Sequence, residues 1–152
     1  MRLALFFVVL TGCPIALYAE SGTATIRRTG AAIDGGQTCA SCHSPRAGAN
    51  AGAVTIDPSA YTASVPQTIH VRVTDPGSAR WGFQLTSRLV SDETKEAGTF
   101  AGSDTVQVRC DDGSPNGSDP PCNGLREFAE HLMAPRTAIG AGFSFDVQWT
   151  PP

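Results

Sequence analysis

The sequence predicts a mainly β chain, an antiparallel β-sandwich preceded by an irregular segment, on three observations. Short runs alternate apolar and polar residues with period two, as strands with one dry face do. Between these runs fall most of the 16 Gly and 11 Pro, where they make turns. Charged residues are scarce at 16%, a composition that suits a turn-rich β domain better than a helical bundle. A length of 152 residues sets the expectation of one domain behind a leader.

The chain opens Met1-Arg2 and continues from Leu3 to Leu10 without a polar residue. One positive charge, a short apolar run and small residues after it predict a secretory signal peptide. The run is too short to span a bilayer, which takes about 20 apolar residues, so no transmembrane helix is expected in the mature chain. Cleavage after Ala19 makes residues 1–19 the leader and Glu20 the mature N-terminus. An alternative lies at Leu10-Thr11-Gly12-Cys13, a lipobox in which Cys13 would carry a lipid anchor. The apolar residues that follow Cys13, where a polar tether is usual, weigh against it.

Residues 20–52 show little periodicity and form the irregular segment, which holds Cys39-Ala40-Ser41-Cys42-His43. Residues 53–152 carry the sandwich. Residues 53–57 read as a short strand stopped by Pro58. In 68–75, Ile69, Val71 and Val73 alternate with His70, Arg72 and Thr74, which puts His70 on the solvated face. In 80–92, Trp81, Phe83, Leu85 and Leu89 share one face. Residues 105–109 are a further strand, and 143–149 alternate without a miss. Residues 125–133 fit either a helix with Leu125, Phe128, Ala129 and Leu132 on one side or a strand with Phe128 and Leu132 inward.

From Glu20 onward there are ten basic and fourteen acidic residues, Arg2 being the one base left in the leader. This mild negative balance offers no basic patch for nucleic acid and no polybasic membrane surface. An exported chain meets an oxidising compartment, in which unpaired thiols persist poorly. Cys110 and Cys122 flank a polar, turn-rich loop, and a disulfide closing it is the economical expectation. Two free thiols or a metal site are the alternatives.

That leaves Cys39 and Cys42. In C-x-x-C-H the two thiols add to the two vinyl groups of a haem and the adjacent histidine supplies an axial nitrogen to iron. At this chain's own cysteine and histidine frequencies, chance gives roughly 0.003 such matches. The motif therefore points to one covalent haem c, held by Cys39, Cys42 and His43. His131 is the candidate for the distal side of the iron and Met133 the less favoured one. Ordinary packing is the bland account of both. Three other accounts of the motif compete: a structural or redox-active Cys39–Cys42 disulfide, a zinc site, and a surface histidine beside a disulfide. No βαβ pattern surrounds the motif, which argues against a thioredoxin-like role. No nucleophile–base pairing or paired carboxylates stand out, so an electron carrier with redox partner proteins is expected, not an enzyme.

Several further pieces occur in a fixed order. They are Trp81-Gly82-Phe83-Gln84-Leu85-Thr86-Ser87-Arg88, Ala97-Gly98-Thr99-Phe100, Glu130-His131, Phe143-Ser144-Phe145 and Trp149-Thr150-Pro151. Together they resemble the Reeler-type β-sandwich, and more closely its bacterial relatives, the "choice-of-anchor" domain proteins that begin with a C-x-x-C-H segment. The resemblance covers residues 38–152. It implies an immunoglobulin-like sandwich that is exported to the periplasm or the surface of a bacterium, and it supports the haem. Reeler domains without a haem motif also keep a histidine where His131 stands, followed by the same Trp-Thr-x-Pro ending, which implies a structural part for His131. The Cys110–Cys122 loop is an elaboration, and no anchoring tail of the kind those relatives carry follows Trp149 in these residues. Two functions are thus expected in order: a monohaem c-type electron-transfer protein, then an extracellular binding or adhesion module with a Cys39–Cys42 disulfide.

Overall fold

Alternation becomes strand pairing in the computed structural model, which describes residues 22–43, 52–57, 60–114, 121–133 and 135–152. The leader and Cys13 lie outside the described residues. Among the described residues nine strands follow in order: β1 (Ala53–Asp57), β2 (Gln67–Thr74), β3 (Gln84–Leu85), β4 (Arg88–Leu89), β5 (Asp92–Glu96), β6 (Thr99–Ala101), β7 (Val106–Cys110), β8 (Glu127–His131) and β9 (Phe143–Thr150). They make a four-stranded sheet in the order β1-β2-β9-β6, a three-stranded sheet in the order β3-β8-β7, and the β4-β5 hairpin. Every pairing is antiparallel. The chain is mainly β, as its sequence predicts. No helix among the described residues is long and apolar enough to cross a membrane.

The two sheets face one another across a shared core. Val71, Phe145, Val147 and Phe100 come from the larger sheet, and Val106, Val108 and Ala129 from the smaller, with Phe83 just before β3. Phe83 and Phe145 meet across the interface with ring centroids 4.6 Å apart. Burial of each large side chain contributes about 1.5–3 kcal/mol. Trp81 is also buried, and its indole N–H donates to Thr137 Oγ1 at 2.7 Å, so the one polar atom it brings inside is satisfied. At the turn between β5 and β6, Gly98 has φ +85°, and a Cβ there would run into the Thr150 carbonyl, which only glycine avoids.

Residues 80–92 do not form the single strand their alternation predicts. Thr86 and Ser87 turn their hydroxyls to backbone carbonyls of Glu127 and Ala97, and the backbone breaks between β3 and β4. Within residues 125–133 a strand forms over Glu127–His131, and no helix. Phe128 is buried as expected, while Leu132 is 44% exposed past the strand's end. His70 is exposed on the polar face of β2, with Nδ1 2.7 Å from Asp146.

All five residues of β8 are buried, although two of them are glutamates. Both faces of this strand are covered. Ala129 faces the sandwich core. Phe128 and Glu130 face the other way, against residues 22–43, which lie across the β3-β8-β7 sheet as a third layer.

Candidate functional site

The layer over β8 carries the C-x-x-C-H motif, and its local geometry follows from two turns. Thr29 and Thr38 pair antiparallel, closing a loop that contains a 3-10 turn at Ala32–Asp34. Thr38 then caps a second 3-10 turn, Cys39–Ser41, by accepting a hydrogen bond from the Ala40 N–H. The N–H groups of Cys42 and His43 both donate to the Cys39 carbonyl, at 3.2 and 2.9 Å. Cys39 opens the turn and Cys42 follows it as the C-cap, at φ −118° and ψ −27°. Both thiols are unbonded and both residues are exposed. Partial burial of its sulfur still raises the Cys39 pKa, against weaker opposing effects that include the nearby Arg28 charge.

Charged side chains fasten this layer to the sheet. Asp111, at the end of β7, accepts from Arg27 Nε at 2.7 Å and from Arg126 Nη2 at 2.6 Å. Burial pushes the Asp111 pKa up, but these hydrogen bonds outweigh it and hold the carboxyl below its ordinary value. Asp34 is wholly buried, takes the Thr29 hydroxyl at 3.1 Å, and lies 3.3 Å from Arg88 Nη2 and 3.5 Å from Arg126 Nη1. Glu130 accepts from Gln84 and Gln107, each at 2.8 Å, with Arg109 at 3.5 Å. Arg109 also donates to the Ala24 carbonyl, and the Arg28 N–H to Gln84 Oε1.

Between this layer, the β4-β5 hairpin and the edge strand β1 opens a cleft of about 750 Å³, with Cys39 on its wall. Val54 and Ile56 of β1 and Val90 of the hairpin border it, and they are 61%, 46% and 102% exposed although they are large and apolar. The second sheet does not reach β1, so nothing of the described protein covers the inward side of that strand. The volume lies within the roughly 300–1,000 Å³ usual for cofactor sites. Cys39 borders this cleft, whereas Cys42 and His43 do not.

His43 follows the turn directly and is exposed. His131 is directed into the sandwich: its ring lies against Gly82, and Nδ1 is 3.3 and 3.2 Å from the Phe83 nitrogen and carbonyl oxygen. It does not border the cleft, whereas Gly82 does. Met133 is 70% exposed beyond β8. Cys110 and Cys122 form a disulfide, as the loop between them predicts. Among the described residues, no group of three or more His, Cys, Asp or Glu is gathered to hold a metal. No family model, curated protein or solved structure matches the chain.

One pair of groups escapes sequence reasoning altogether. Glu96 Oε1 accepts from the Glu127 N–H at 2.8 Å, and Glu127 Oε2 accepts from the Phe100 N–H at 2.7 Å. Burial, then the Glu127 charge, raises the Glu96 pKa to about 7, with Arg88 and Arg126 opposing the rise. Burial likewise raises that of Glu127. Between the ordinary pKa of 4.5 and about 7 the folded protein keeps a proton that the unfolded chain has released. Stability therefore falls as pH rises through that window. Glu96→Gln keeps the acceptor oxygen and removes the charge. It is expected to raise stability above neutral pH by about 1–2 kcal/mol, after solvent screening of a partly exposed group, and to change it little in acid. Urea unfolding on both sides of the window checks this, and an equal effect on both sides contradicts it.

Proposed function

We propose that this protein is an exported, monohaem c-type electron-transfer protein, with the haem joined to Cys39 and Cys42 and its iron held by His43. The observation that carries the reading is the C-x-x-C-H segment with both thiols unbonded and exposed, its Cys39 on the wall of a cleft of about 750 Å³. Cys39 and Cys42 would hold the group by thioether bonds, each thiol adding across one vinyl group with its hydrogen going to the other vinyl carbon, a balanced addition that would need no oxidant. Bound there, the haem supplies a one-electron iron couple. The chain's part would be to hold the turn against β8 and to wall the cleft with Val54, Ile56, Leu89 and Val90. We assign no distal ligand, because Phe83 engages His131 and Met133 lies out in solvent. Export to the periplasm or the surface of a bacterium is supported by the leader and by the Cys110–Cys122 disulfide. The same reading takes the sandwich as immunoglobulin-like, of the Reeler type.

The test is a pyridine haemochrome spectrum of the chain exported from a host with haem-ligation machinery. A c-type spectrum that survives denaturation, and is lost in Cys39→Ala/Cys42→Ala, is expected. A colourless protein made beside a control cytochrome that matures normally overturns the reading. The sandwich is then a binding or adhesion module, with Cys39 and Cys42 free to pair with each other.

A further inference from the structure

The β4-β5 hairpin is attached to the sandwich differently from the other strands. It forms a two-stranded sheet of its own and contributes no residue to the core that the two larger sheets share. Two of its side chains reach across instead. Arg88 reaches Asp34 in the layer over β8 and stands over the Phe128 ring, 5.4 Å from its centroid. Glu96, opposite Arg88 in the hairpin, accepts the Glu127 N–H at 2.8 Å.

Glu96 stands where the three sheets meet. Its donor is the first residue of β8, and Glu127 in turn accepts the Phe100 N–H of β6 at 2.7 Å. Hairpin, small sheet and large sheet are thus joined in series through two carboxyl groups. The charges that act on Glu96 are Glu127 from β8, Arg88 from β4 and Arg126 from just before β8. On its own strand Lys95 turns to Asp92, at 3.7 Å. Burial and the Glu127 charge outweigh the two arginines, so the Glu96 carboxyl keeps its proton up to about 7.

We propose that Glu96 is a proton-operated latch on the β4-β5 hairpin. Protonated, it lets the hairpin seat against β8; ionised, it sets a second carboxylate beside Glu127 at the joint and lets the hairpin lift. Lifting carries Glu96 into water, where its charge costs little. It breaks no ladder shared with another strand and uncovers no core side chain, so the opening is local. The open hairpin gives its proton up near 4.5 and the seated one near 7, so the open fraction grows as pH rises between those values. The hairpin also carries Leu89, Val90 and Glu93 of the cleft that Cys39 borders, and the same proton governs how firmly that wall stands. The inference does not depend on the haem reading.

Amide hydrogen exchange of the full-length chain, read residue by residue by NMR below and above that window, tests the latch. The Glu127 N–H is the reporter, because the Glu96 carboxyl is its acceptor, and the amides of β2 and β9 are the reference. After correction for intrinsic rates, protection of Glu127 is expected to fall at least about tenfold across the window, within the roughly 300-fold that a change from 4.5 to about 7 allows. Low urea is expected to leave this opening unchanged, since a local opening exposes little surface. Equal protection at both pH values overturns the inference. So does an opening that steepens with urea as much as that of β2 and β9, because Glu96 is then released only when the whole chain unfolds. Both readings come from the unaltered chain and do not depend on a variant folding. Glu96→Gln is expected to remove the pH dependence, and a variant that keeps it in full overturns the assignment to Glu96.

Discussion

Asp34→Asn is expected to destabilise the protein by about 3–5 kcal/mol and to release the segment that carries the C-x-x-C-H turn. The Asp34 side chain has no exposed surface and stands between Arg88 and Arg126, whose side chains are 9% and 17% exposed. Asparagine keeps the shape and loses the charge, which leaves two largely desolvated guanidinium groups without their shared counter-ion. That imbalance costs more than the mutual attraction contributed, because solvent cannot replace what the carboxylate supplied. The effect then spreads along the chain. Asp34 also takes the Thr29 hydroxyl, and Thr29 pairs with Thr38 directly before the motif. Urea unfolding measures the loss, and limited proteolysis within residues 22–43 measures the release. A loss below about 1 kcal/mol contradicts the argument. Adding Arg88→Met to Asp34→Asn is expected to recover part of the loss, since one buried cation leaves with its partner, and the double-mutant cycle gives the coupling directly.

What could be read from the chain alone follows from where each residue's neighbours lie. β2, β7 and β9 each have one drier and one wetter face, and period two announces them. The β8 strand does not show itself this way, because Phe128 and Glu130 are buried on one side as fully as Glu127, Ala129 and His131 are on the other. A strand covered on both faces loses the contrast that alternation needs, and its glutamates make it resemble a solvated helix. β5, with the sequence Asp-Glu-Thr-Lys-Glu, has no apolar face at all and exists only as the partner of β4.

The candidate site divides in the same way. The motif is local and therefore legible: five consecutive residues specify two thiols and an imidazole. The Cys110–Cys122 pair is legible too, because a turn-rich loop lies between two cysteines. The ion pairs that press the motif onto β8 are not legible. Arg27 and Asp111 are 84 positions apart, and each on its own reads as a solvated surface charge. The cleft is hidden for a related reason, since its walls come from elements that the sequence keeps separate. Val54 and Ile56 read simply as the dry face of β1, with no sign that this face is left uncovered.

Removing the disulfide with Cys110→Ala/Cys122→Ala is expected to lower stability by about 3 kcal/mol while the folded protein keeps its β-sheet circular dichroism. The bridge closes a loop of sequence separation 12, so its main action is to restrict the unfolded chain, and that action is lost wherever the loop is freed. The native pairing around it has other supports. β7 and β8 are joined by five registered pairs from Val106↔His131 to Cys110↔Glu127, and the Gly113 N–H donates to the Cys110 carbonyl at 2.8 Å. A second consequence is local. Asp111 follows Cys110, and Arg126 stands four residues after Cys122, so the bridge sets the spacing across which these two meet at 2.6 Å. Loosening it weakens the same anchor that holds Arg27, and residues 22–43 should become more open to protease than the global loss alone requires. Urea unfolding of the variant gives the first quantity, and proteolysis rates compared at equal fraction folded give the second. If the rates then coincide, the disulfide acts only through the unfolded chain, and the layer that carries the C-x-x-C-H turn is held by its arginines without help from the bridge.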